Sequence, residues 1–92
     1  MAMSEDGLMP GMATEAQIAA LQAETGRNLD VLFCQLMLRH HTGGLQMARA
    51  AAAQADEPQV RNLAEAMVTG QENEIVVLRE NLKRLGAQTP TK

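Results

Sequence analysis

Tryptophan and tyrosine are absent from these 92 residues, and Phe33 is the only aromatic. The hydrophobic share of 46% therefore rests on aliphatic side chains, alanine above all. A chain this short closes one core at most, and without aromatics a thin one, so association with another chain is expected. One cysteine, Cys34, excludes an intramolecular disulfide and any Cys-x-x-Cys metal or redox motif. Eight basic residues stand against eleven acidic ones, and no basic stripe forms, so nucleic acid is not an expected partner. No run approaches the roughly 18 to 20 apolar residues of a membrane span, and no membrane partner is expected. Met1 to Gly7 lacks the basic and apolar stretches of a signal peptide. It reads as a natural start or as a cut within a longer protein. Nucleophile triads, phosphate-binding glycine loops and nucleotide fingerprints are missing. The Glu-x-x-His pairs of di-iron bundles are missing too, since Met37 and Leu38 stand three residues before His40 and His41. An enzyme is not expected.

What remains is helical, and the expected class is all-α. Gly7, Pro10 and Gly11 make residues 1–13 read as an extended arm, whose methionines Met3, Met9 and Met12 are available to fold over a site on the helices. Thr14 with Gln17 forms a capping box, and a short helix over about 14–25 follows, stopped by Gly26. Asn28 is a suitable cap for a long helix over 28–54. Its apolar positions Leu29, Phe33, Met37, Leu38 and Leu45 recur at spacings of three and four. Asp56 to Pro58 turn the chain into a second long helix, over 58–85. Gly86 ends it, and residues 87–92 read as a frayed tail. A link this short forces the two long helices into an antiparallel hairpin.

Chemistry-bearing groups lie on the seam of that hairpin. At about 100° per residue, Asp30, Met37 and His41 share one stripe, with His40 and Met47 on its edge. Met67, Gln71 and Glu74 share the facing stripe. Measured from a turn at Asp56, His41 and Gln71 lie at equal height, so the His pair faces Gln71 and Glu74, and Met47 faces Met67. Buried polar groups must be satisfied. The seam therefore holds either a hydrogen-bond network of His41, Glu74 and Gln71, or a metal. Imidazole and thioether donors together suit copper, with thioether favouring Cu(I). Packing alone accounts for Met37, Met67 and Cys34 as ordinary core residues, and the helix dipole alone accounts for Asp30 in a first turn. Adjacent histidines project about 100° apart, which works against both entering one site. Gly43 and Gly44 cost roughly 1 kcal/mol each in a helix interior. Close approach of another element is the expected reason, and an interface is expected there.

The segment Met37-Leu-Arg-His-His-Thr-Gly-Gly-Leu-Gln-Met47-Ala48, followed by Leu63-Ala64 and Gln71-Glu-Asn-Glu74-Ile75, resembles the domain-of-unknown-function family 305. Leu29-Asp30 and Met9-Pro-Gly-Met12 are similar to family features as well, so the resemblance spans about residues 9–86. It implies a ferritin-like helical bundle, and it implies export, because many members are secreted or periplasmic. Some members are associated with copper. The implied metal-site residues are Asp30, Met37, His40, His41, Met47, Gln71 and Glu74. Leu78 departs from the pattern by replacing a frequent methionine. Many members carry two copies of this unit, and this chain looks like the second. A four-helix bundle completed by a homodimer is the expected architecture.

The expected function is then a small copper-binding module. The alternative is a metal-free structural module held by the His, Gln and Glu network.

Overall fold

A computed structural model describes residues 11–89. Three helices follow one another: α1 (Glu15–Ala23), α2 (Gly26–Gln54) and α3 (Pro58–Arg84). No strand occurs among the described residues. At 1.5 Å per residue the 29 residues of α2 extend for about 43 Å, which sets the 45 Å long dimension of the molecule.

The helix ends follow local chemistry. Gln17 N–H donates to the Thr14 hydroxyl at 3.0 Å, and Thr14 N–H donates to the Gln17 side chain at 2.8 Å. Two otherwise orphaned donors are satisfied reciprocally. The next boundary differs from the expectation. α1 ends at an extended Glu24, and Gly26, at φ +61°, opens α2 instead of closing α1. Thr25 therefore occupies the N-cap position, and Asn28 lies inside the helix. The end of α3 closes as a Schellman turn. Gly86, at φ +70°, donates to Lys83 O at 3.0 Å, and Ala87 donates to Leu82 O at 2.9 Å. Ala87 also packs on the core, and Gln88 O accepts from the Gln35 side chain at 3.1 Å. The expected frayed tail is thus ordered at least through Gln88.

α2 and α3 run antiparallel. Arg27 donates to Leu85 O near one end, His41 meets Glu74 midway, and Arg49 pairs with Glu72 towards the turn. The Arg49–Glu72 pair, 2.9 Å long, is exposed on both sides and contributes little to stability. The core between the helices is Cys34, Leu38, Leu45, Ile75 and Leu82. α1 buries none of its residues, and Ile18 stays 46% exposed. The short helix covers little of the hairpin, so its stability rests on the single seam between α2 and α3.

Candidate functional site

The histidine pair is split by the helix period. His41 turns inward and is buried, whereas His40 is exposed. The two rings stand 6.0 Å apart with planes at 69°. His41 Nδ1–H donates to Met37 O at 2.8 Å, one helical turn back. A carbonyl oxygen only accepts, so the proton of that bond is on Nδ1. Nε2 in turn contacts the Glu74 carboxylate across the seam. Both ring nitrogens of His41 are thus engaged, one by its own helix and one by α3. The Glu74 side chain is 64% exposed, which makes the bridge a marker of register more than a large source of stability.

Gln71 does not join that bridge. Its amide lies over Gly44, where an added Cβ would stand 2.9 Å from Nε2. Its Oε1 is buried with no hydrogen-bond partner. The expected triad is therefore a pair. The glycines also have separate reasons. Gly44 makes room for Gln71, and Gly43 makes room for the N-terminal arm. A Cβ on Gly11 would sit 3.2 Å from the Gly43 Cα and closer still to the Arg39 carbonyl. Gly11 also has φ +87°, a conformation that favours glycine. The expected close approach is by an arm and a side chain within the chain.

Two cavities flank the bridge. The larger, about 440 Å³, is lined by Met12, His40, Met47, Met67 and Gln71 with the alanine and leucine positions around them. The smaller, about 210 Å³, is lined by Phe33, Met37, His41, Glu74, Val77 and Leu78. The expected seven-residue site thus falls into two groups. His40, Met47 and Gln71 share the larger cavity, while Met37, His41 and Glu74 share the smaller. Met67, expected in the core, is 44% exposed and lines the larger cavity. Met12 joins it from the arm, the one arm methionine among the described residues and one of those expected to fold over a site. Met3 and Met9 lie outside the described residues. Asp30 belongs to neither group. Because α2 begins at Gly26, Asp30 is past the first turn and exposed, one turn before Cys34, whose thiol feels its charge.

Cys34 is buried, and burial, with the Asp30 charge second, pushes its thiol above the ordinary range, partly offset by Arg84. It is a packing residue with little thiolate. Alkylation of the folded protein by iodoacetamide at pH 8 is expected to run about 100-fold slower than that of a cysteine peptide, and to reach the peptide rate in guanidinium. The same shift makes stability fall as pH rises past about 8.5, where the unfolded chain loses its proton first. A reactive thiol in the native state would contradict this placement.

As a donor set, the larger cavity offers one exposed imidazole and three thioethers. No group of three or more His, Cys, Asp or Glu occurs among the described residues. Closed zinc sites and oxygen-ligated calcium or magnesium sites do not fit this set. Soft d¹⁰ cations do. Replacing Gly11 with Ala would force the arm off Arg39 and Gly43. It is expected to withdraw Met12 and raise the proteolysis rate of the arm several-fold without altering far-UV circular dichroism.

The sequence profile of a domain of unknown function, DUF305, matches residues 1–82. Among solved structures, a presumed-secreted DUF305 protein from Streptomyces coelicolor is similar to this chain at a TM-score of 0.87 and 36% identity. The match covers 91% of this chain and 52% of that one, so the chain spans about half the length of that neighbour. No curated protein matches. None of the helices among the described residues is long and apolar enough to cross a membrane.

Proposed function

This chain belongs to the DUF305 family, and on that premise we propose that it is a small helical copper-binding module, working as a homodimer outside the cytoplasm. The supporting observation is the gathering of His40, Met12, Met47 and Met67 around one cavity beside the unpartnered Gln71 oxygen. Thioether sulfur binds Cu(I) in preference to hard or borderline ions, and one imidazole anchors it. His41 and Glu74 play a separate part. They hold α2 and α3 in register, so that Met47 and Met67 line the same cavity from opposite helices. Bound copper would supply no chemistry of its own, and the function is uptake and sequestration of the ion. Glu72 and Glu80 on the outer surface offer no comparable soft donors. The secreted nature proposed for the Streptomyces coelicolor relative supports the extracytoplasmic setting.

The His41–Glu74 bridge also favours a second reading, a structural module that takes no metal. Titration with Cu(I) under a competing chelator separates the two. One Cu(I) per site at submicromolar affinity supports the metal reading, and no stoichiometric uptake removes it.

A further inference from the structure

The donors around the larger cavity are not all held alike. His40 and Met47 stand on α2 and Met67 on α3. Those two helices share one core and are tied by the His41–Glu74 bridge. Met12 comes from outside the hairpin. Its segment reaches α2 by laying backbone on backbone, Gly11 against Gly43 and the Arg39 carbonyl. No hydrogen bond joins residues 11–13 to α2 or α3 among the described residues. Thr14 makes its side-chain and backbone bonds to Gln17, within α1. α1 itself buries none of its residues, and Met12 is 44% exposed. A segment with few buried contacts and no hydrogen bonds opens at little free-energy cost. A donor carried by either long helix moves only with the hairpin.

We propose that Met12 is the exchangeable donor of the site, the one that a methionine of an acceptor protein displaces when the ion is passed on. The inference rests on the copper reading and adds an exit to it. A d¹⁰ ion has no geometric preference from its d electrons, so an incoming sulfur binds before the outgoing one leaves. One Cu–S bond forms and another breaks. Copper stays Cu(I), and no electron or proton moves, because both thioethers are neutral. His40, Met47 and Met67 hold the ion throughout, on elements that do not shift. An unbranched thioether side chain suits repeated leaving and return. Replacing one methionine sulfur by another changes the free energy little, so the acceptor's further donors set the direction of transfer.

The seat of Met12 also says what the acceptor looks like. The incoming stretch must lie where residues 11–13 now lie, against backbone that Gly43 leaves bare. Met12 itself is flanked by Gly11 and Ala13. The partner is therefore an extended stretch with methionine between small residues.

NMR of methionine methyl groups reads each donor separately. The full chain, labelled at those methyls, is loaded with Cu(I) without oxygen and titrated with a synthetic peptide of methionines spaced by glycine and alanine. Loading is expected to shift the Met12, Met47 and Met67 methyls and to spare Met37. The peptide should return Met12 towards its metal-free position first, while Met47 and Met67 stay shifted. Gly11→Ala leaves every donor in place but unseats the arm. It should speed transfer to the peptide on the order of tenfold, Met12→Leu about as much, and the double variant no more than either alone. Simultaneous return of the three methyls would overturn the proposal. So would a transfer rate indifferent to Gly11→Ala, or effects of the two substitutions that multiply. Shifts at Met47 and Met67 with none at Met12 would sink the exchange and leave the copper reading standing. No shift at any methyl, with no Cu(I) taken up, would sink the copper reading and the exchange with it.

Discussion

His40→Ala is expected to abolish stoichiometric Cu(I) binding, and His41→Ala is expected to leave it nearly unchanged. The asymmetry follows from the helix period. His40 faces the cavity with the thioethers, whereas both ring nitrogens of His41 are occupied by Met37 O and Glu74. Met47→Leu and Met67→Leu keep the shape and remove a soft donor. Each should lower Cu(I) affinity on the order of tenfold, about 1.4 kcal/mol, and should affect Cu(II) less. Protons compete with the metal for an imidazole nitrogen, so uptake should weaken in acid. His41→Ala should act on stability instead. It removes two hydrogen bonds at a buried position, a loss of about 1–2 kcal/mol. In a domain of this size that lowers Tm by roughly 5–15 °C. The checks are Cu(I) competition titration and thermal melts on the same variants. Equal loss of copper in both histidine variants would reunite the pair in one site and sink the division made here.

Much of this division is legible in the sequence, and the rest fails for identifiable reasons. The hairpin follows from the short link after Gln54 and from apolar spacing, but counting outwards from Asp56 sets His41 level with Gln71, about one turn from the Glu74 that it meets. Spacing gives height but not azimuth to better than a rotamer. It therefore places Asp30, Met37, His40, His41, Met47, Gln71 and Glu74 on one seam without showing that the bridge splits them. The role of Gly26 was hidden because a glycine between helices serves equally as the last turn of one or the first of the next. Moving that boundary two residues takes Asp30 out of the first turn. How the arm carries Met12 to the cavity was hidden for another reason. Its place depends on Gly11 lying against Gly43, a contact between residues over thirty positions apart. Gly43 and Gly44 did signal that something comes close, but not what. Met67 looks like core from its period, yet it lies on the flank that the single hairpin leaves uncovered.

Leu82→Ala is expected to have the largest effect on stability of any single substitution. Leu82 is fully buried and packs in a cluster with Cys34, Leu38, Leu45 and Ile75. It also anchors the end of α3, because its carbonyl accepts the Schellman bond from Ala87, which itself packs on the core. Removing three heavy atoms there loses transfer free energy and leaves a cavity that two rigid helices cannot collapse. Such changes cost about 2–5 kcal/mol. With total stability for a domain of this size roughly 5–10 kcal/mol, the variant loses at least about a fifth of it. Tm should fall by about 10–25 °C, and amides near the Leu85 end of α3 should exchange first. Ile75→Val, which removes one methylene from the same cluster, should cost only about 0.5–1.5 kcal/mol. Leu63→Ala touches no core residue, because that side chain is largely exposed, and should barely move the melt. Melts of these three variants under one set of conditions are the decisive measurement. A large loss at Leu63 would place that side chain in the fold of the hairpin, and a mild effect at Leu82 would move the centre of stability away from the seam.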